Sequence, residues 1–153
     1  MTDLTAEVRA SIEASVLCWL ATMGEDGFPN VSPKEMFLAQ GNSILIGNIA
    51  SPRTRANILA TPQVCVSFVD VFAQKGFKVK GVATLHVGGS DGFARLSPSL
   101  IDMAGPNFPL RDVIEVVPTH IAPIIAPSYT LVPDRPDDER RAMTYAAYGV
   151  RPA

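Results

Sequence analysis

The sequence predicts a mainly β, α+β domain: an antiparallel barrel of short strands with helices at its periphery. Thirteen prolines and eleven glycines in 153 residues divide the chain into many short elements. With 47% hydrophobic against 18% charged residues and a mean hydropathy of +0.19, there is enough apolar surface for a core. Runs of alternating or β-branched residues between turn signals outnumber helical periods. A chain this long buries roughly 70% of the surface that its unfolded form exposes, so neither disulfides nor a structural metal is required. We expect one domain over residues 1–153, with its core at about 15–130 and a tail, 131–153, that carries a short helix.

Asp3 or Thr5 caps a first helix whose apolar positions Leu4, Val8 and Ile12 recur every four residues, opposite Glu7, Arg9 and Glu13. Val16 to Met23 and Phe28 to Gln40 are β-rich runs joined through Gly24-Glu25-Asp26-Gly27, whose Asp-Gly pair tolerates positive φ, and they form a hairpin. After the turn at Gly41-Asn42, Ser43 to Ile49 adds a third strand and completes a meander. Ser51 is a good N-cap and Pro52 a good first residue for a short helix, which must stop before Pro62. Gln63 to Val71 and Lys75 to Val87 are the fourth and fifth strands, and Gly81 marks a bulge or a close approach by another chain or ligand. Phe93 to Met103 is helical, divided by Pro98. Val113 to Val117 is a last strand, followed across Pro118 by an extended segment, Ile121 to Tyr129, along an edge. Asp137 to Ala147 is a charged tail helix.

Thirteen basic against fifteen acidic residues and a pI near 5.6 leave no electrostatic footprint for nucleic acid or an anionic membrane. The apolar runs fall far short of the ~20 residues of a membrane span, and no basic-then-apolar leader opens the sequence, so the cytoplasm is the expected location. Cys18 and Cys65 sit in apolar runs outside any CxxC or Cys/His spacing and read as buried small hydrophobes. His86 and His120 have no nucleophile-elbow context, and the scattered acidic residues form no ExxH or DxDxDG pattern, so no metal is expected.

One constellation stands out: Ser32-Pro33-Lys34, Gly47-Asn48, and Ser51 to Asn57 at the helix start. A helix N-terminus presents free N–H groups and about half a positive charge. Hydroxyls and an arginine there complete a phosphate cradle, with Ser51, Arg53 and Thr54 as side-chain donors. On spacing alone a plainer account is slightly favoured, with Ser51 as a cap, Arg53 and Arg55 solvated and Lys34 on the surface.

Leu20-Ala21-Thr22-Met23, the turn at Asp26-Gly27, Pro29-Asn30-Val31-Ser32-Pro33, the run from Ser51 to Val64, and Phe77 to Ala83 resemble the pyridoxamine 5′-phosphate oxidase-like family of FMN-binding split barrels. The resemblance covers roughly residues 5 to 130. It implies a six-stranded antiparallel split barrel, a homodimer, and FMN in a cleft between the subunits with its phosphate on Arg53 and Thr54. Ser32, Pro33 and Lys34 would then border the isoalloxazine edge, and Gly47 and Asn48 the ribityl and phosphate. Asn57 matches a recurrent helix asparagine, and Lys78 or Lys80 would reach the cofactor from the fifth strand. Thr54 stands where the family often has lysine, so Arg53 or Arg55 must supply the cation. The Arg- and Trp-rich C-terminal substrate section of the true oxidase is absent. Trp19 is the only tryptophan and reads as a core or dimer-interface aromatic.

The function implied is an FMN-dependent oxidoreductase acting on a small molecule with an electron donor such as NAD(P)H. The alternative is a protein that holds FMN, a deazaflavin or haem on the same fold without turnover. A third reading is an interaction module using the apolar run Ile121 to Pro127.

Overall fold

The computed structural model describes residues 2–152; Met1 and Ala153, the ends of the expected domain, lie outside them. The elements are α1 (Ala6–Ala14), β1 (Cys18–Met23), β2 (Pro29–Lys34), β3 (Phe37–Gln40), β4 (Ser43–Asn48), α2 (Pro52–Ala60), β5 (Gln63–Asp70) and β6 (Lys75–Val87). They continue with α3 (Asp91–Leu96), α4 (Pro98–Ala104), β7 (Asp112–Ile125), α5 (Ser128–Leu131) and α6 (Asp137–Tyr148).

The strands form one sheet in the order β2-β1-β5-β6-β7-β4-β3, with antiparallel neighbours throughout. Its two outer strands, β2 and β3, are separated in the chain only by Glu35 and Met36. That two-residue tether draws the edges of the sheet together without pairing them, so the sheet rolls into a barrel left open along one seam.

The run expected as one strand, Phe28 to Gln40, is therefore two, which makes seven strands where six were expected. The expected three-strand meander is corrected as well. β1 pairs with β2 and β3 with β4, but β4 takes β7 as its other partner.

A further correction concerns the end of the sheet. β7 is a single strand through Pro118 and Pro123, and Tyr129 belongs to α5 rather than to an extended segment. The prolines fit because β4 accompanies β7 only as far as Val116, leaving one side of the strand beyond it unpaired. Gly81 serves the bulge role expected of it, and what approaches it closely is the neighbouring strand of the same chain. The register slips between Lys80 and Gly81, and a Cβ on Gly81 would stand 2.5 Å from the Val117 carbonyl oxygen.

The main core lies inside the barrel, where Leu20, Ile44, Ile46, Val66, Phe68, Val79, Ile114 and Val116 meet. α1 closes one side with Leu4, Val8 and Ile12, and Thr5 is its cap, accepting from the Val8 N–H at 3.3 Å. β4 is buried on both faces, because Leu45 packs outward against Leu96, Leu100 and Val113 beneath α3 and α4. Cys18 is fully buried and Cys65 half-buried. Trp19 is 47% exposed, which removes the core option for it within the single chain. No helix among the described residues is long and apolar enough to cross a membrane.

Candidate functional site

Three chain ends converge at the open seam: the last residue of β2, the end of β4 and the start of α2. Lys34, closing β2, is only 7% exposed, and its Nζ donates to Ser51 Oγ at 2.6 Å. Among the described residues it makes no ion pair. Burial pushes its ammonium below the ordinary value of 10.5. Across the ladder stands Cys18, whose thiol burial pushes up to about 12, so no thiolate forms there at neutral pH to balance the lysine.

Ser51 occupies the N-cap position of α2, yet its side chain makes no capping bond. It serves Lys34 instead, which leaves the first N–H groups of α2 without a side-chain acceptor. Pro52 at the first helical turn fits, since its missing N–H has no intrahelical role there.

A cleft of about 460 Å³ opens beside these residues. Pro33, Lys34, Gly47 and Ser51 line one side, with Glu35 and Met36 at the tether, and Met103, Ala104 and Phe108 line the other. A Cβ on Gly47 would lie 2.8 Å from Leu110 Cδ2, so a larger residue there would require the Leu110 side chain to shift.

Next to the cleft, a buried carboxylate separates the two candidate arginines. Asp112, 1% exposed, pairs with the Arg55 guanidinium and accepts from Asn48 Nδ2 at 3.1 Å. Arg55 is thereby neutralised, whereas Arg53, exposed on the same turn, makes no ion pair among the described residues. Asn48 Oδ1 is buried with no hydrogen-bond partner among the described residues.

The other sequence-predicted residues are distributed as follows. Thr54 is buried on α2, and Asn57 Nδ2 donates to Thr22 Oγ1 at 2.9 Å, tying the helix to β1. Ser32 is half-buried on β2. Lys78 is exposed on β6 between Ser67 and Ala122 and does not line the cleft. Lys80 borders a separate groove with Thr22 and Cys65.

Sequence reasoning missed Asp112, Met36, Met103 and Phe108. Asp112, Met103 and Phe108 reach the site by tertiary folding from segments without a local motif, and Met36 ends the tether that follows Lys34 between β2 and β3. The assembled site can hold an anion: a buried ammonium whose only partner is neutral, beside open helix-start N–H groups and an unpaired arginine.

A rolled, unclosed antiparallel sheet of this kind is a split barrel. The chain belongs to the pyridoxamine 5′-phosphate oxidase family, whose model matches residues 4–124. Solved structures share the fold. HupZ of group A Streptococcus is 20% identical with a TM-score of 0.65, over 76% of this chain and 90% of that one. An FMN-binding protein from Syntrophomonas wolfei subsp. wolfei is also 20% identical at a TM-score of 0.65, over 80% and 87%. An F420 reductase is 22% identical at a TM-score of 0.59, over 77% and 98%. None of the curated proteins matches the chain.

Proposed function

We propose that the protein binds FMN in this cleft and acts as an FMN-dependent oxidoreductase, as a homodimer that takes electrons from a donor such as NADH or NADPH. The observation that carries the reading is Lys34: a buried cation with one neutral partner, opening on a cleft, in a member of this family. The donor set fits FMN, which offers a phosphate dianion and electron-rich ring oxygens. Arg53, Ser51 and the first N–H groups of α2 would hold the phosphate, and Lys34 would compensate negative charge on the flavin. Ser32, Pro33, Gly47 and Asn48 would border the group, and Thr54 would shape the helix start. Lys78 would contribute only at a cleft shared with a second subunit. Once bound, FMN supplies the hydride and electron chemistry, and the chain contributes binding, orientation and charge.

A dimer is supported by the barrel's outer surface, which exposes Trp19, Phe28, Val31 and Val82. The proposed setting is the cytoplasm, where reduced nicotinamides are supplied.

The test is an absorbance spectrum of the purified protein after loading with FMN and gel filtration. Flavin bands should co-elute with the protein and bleach on addition of NADH or NADPH. Arg53→Ala should weaken FMN binding about tenfold, roughly the worth of one charge-assisted phosphate contact. A protein that elutes colourless would overturn the reading, and co-elution of a deazaflavin in its place would change the cofactor.

A further inference from the structure

The cleft has two chemically different walls. The polar side chains that line it, Lys34, Glu35 and Ser51, all come from the strand and helix ends, where Pro33, Met36, Ile49 and Ala50 accompany them, whereas the α4 side, Met103, Ala104 and Phe108, is wholly apolar. Met103 and Ala104 close α4, and Phe108 follows a turn through Gly105, whose φ of 71° is a conformation that glycine adopts without strain. Met103 and Phe108 are each about half exposed, so apolar surface stands open to water at the rim of a cavity.

Charge then discriminates between classes of ligand. Among the described residues, Lys34 is the only cation lining the cleft and Glu35 the only anion. One ammonium compensates one anionic group. With FMN using Lys34, a phosphorylated substrate would meet Glu35 and the flavin's own negative charge with no counter-cation on the α4 side. An uncharged ring meets no such penalty. It gains contact with the Met103 thioether and the Phe108 ring, whose soft and flat surfaces suit aromatic ligands.

Resting on the FMN reading above, we propose that the α4 wall is the substrate subsite and that it takes an uncharged aromatic or conjugated molecule, not a phosphate ester. Met103 and Phe108 are its specificity-determining residues, and Lys34 and Arg53 remain with the cofactor.

The test uses FMN-loaded protein, loading first shown by co-elution, and two ligands that share one ring system and differ by a phosphoryl group: 2-naphthol and 2-naphthyl phosphate. Binding is read from quenching of flavin fluorescence and displacement of the flavin absorption bands, without turnover. We expect 2-naphthol to bind at least about tenfold more tightly than its phosphate ester. Phe108→Ala should weaken 2-naphthol about tenfold while FMN is retained. Met103→Lys, at an exposed helix position, should shift the preference towards the ester by supplying the missing cation.

Equal or tighter binding of the ester by the parent overturns the proposal, as does a flavin signal that neither ligand perturbs. Unchanged affinities in both variants overturn it too. Failure to retain FMN sinks the cofactor reading and this proposal with it, whereas retention of FMN without discrimination sinks this proposal alone.

Discussion

Among the described residues two cations are buried, and the fold treats them in opposite ways. Arg140, 6% exposed on α6, donates from Nε to the Arg135 carbonyl at 3.1 Å, from Nη1 to the Ser128 carbonyl at 2.9 Å, and from Nη2 to that of Val132. Its guanidinium carbon lies 4.2 Å from the Tyr129 ring centre. Lys34, equally buried, has a single hydroxyl oxygen. Burying a charge costs several kcal/mol unless hydrogen bonds and counter-charge offset it. Arg140 meets that requirement within the chain, so its role is complete in the isolated fold. Lys34 does not, and its spare donors point to a partner outside the chain. Burial alone does not separate structural from binding residues; the degree to which a buried charge is satisfied does.

The largest effect should come from breaking the satisfied site. Arg140→Ala removes three charge-assisted hydrogen bonds, to the carbonyls of Ser128, Val132 and Arg135, at about 1 kcal/mol or more each, although the first two carbonyls keep backbone N–H partners. Urea unfolding should show about 3 kcal/mol of lost stability, with FMN retention unchanged. A loss below about 1 kcal/mol would mean that solvent replaces those bonds and that the contrast with Lys34 is empty.

Lys34→Met should behave in the opposite sense, with stability equal to the parent's or higher by about 1 kcal/mol. FMN binding should be weaker by more than about tenfold. The pH dependence sharpens the comparison. Because burial lowers the folded value of Lys34 below 10.5, the unfolded chain binds more protons than the folded one between the two values. Relative to Lys34→Met, the parent should therefore gain stability as the pH rises towards 10.5, while both share the loss that Cys18 causes above 9.0, where the unfolded thiol ionises and the buried one stays protonated. Denaturant titrations at several alkaline pH values check this.

The legible parts of the fold and site are the local ones. The β-rich runs, Thr5 or Asp3 before α1, Pro52 opening α2 and the special place of Gly81 all follow from spacing and backbone chemistry. What was not legible depends on partners distant in sequence. A bend at Glu35-Met36 and a continuous β-run look alike until the pairing of β4 with β7 is known. Pro118 and Pro123 read as strand breakers until one side of β7 is seen to be unpaired.

At the site, Lys34, Gly47 and Ser51 were legible as a group, but the bond by which Ser51 serves Lys34 instead of capping α2 was not. The choice between Arg53 and Arg55 stayed open because both lie on one helical turn. The residue that distinguishes them, Asp112, is 57 positions away from Arg55.

The smallest effect should come from Asp70, on the same C-terminal docking surface as Arg140 but nearer to solvent. Its carboxylate accepts from the N–H groups of Phe72 at 2.9 Å and Ala73 at 3.1 Å, and from Arg141 at 3.0 Å. Burial pushes its pKa up, but these donors and the guanidinium charge together outweigh burial and hold it below the ordinary 3.8. A depressed folded value means stability that is present above 3.8 and lost as the pH falls through the folded value. Asp70→Asn keeps an acceptor oxygen for the turn but loses the charge and the second oxygen that accepts from Arg141, so at neutral pH it should cost about 1 kcal/mol. That is less than Arg140→Ala because Arg141 is 41% exposed and water compensates much of what it loses. The cost should fade when unfolding is measured in acid below the folded value, since Asp70 is then uncharged in the parent as well. A cost independent of pH would assign the stabilisation to the geometry of the turn, leaving Arg140 to hold α6 without help from the neighbouring ion pair.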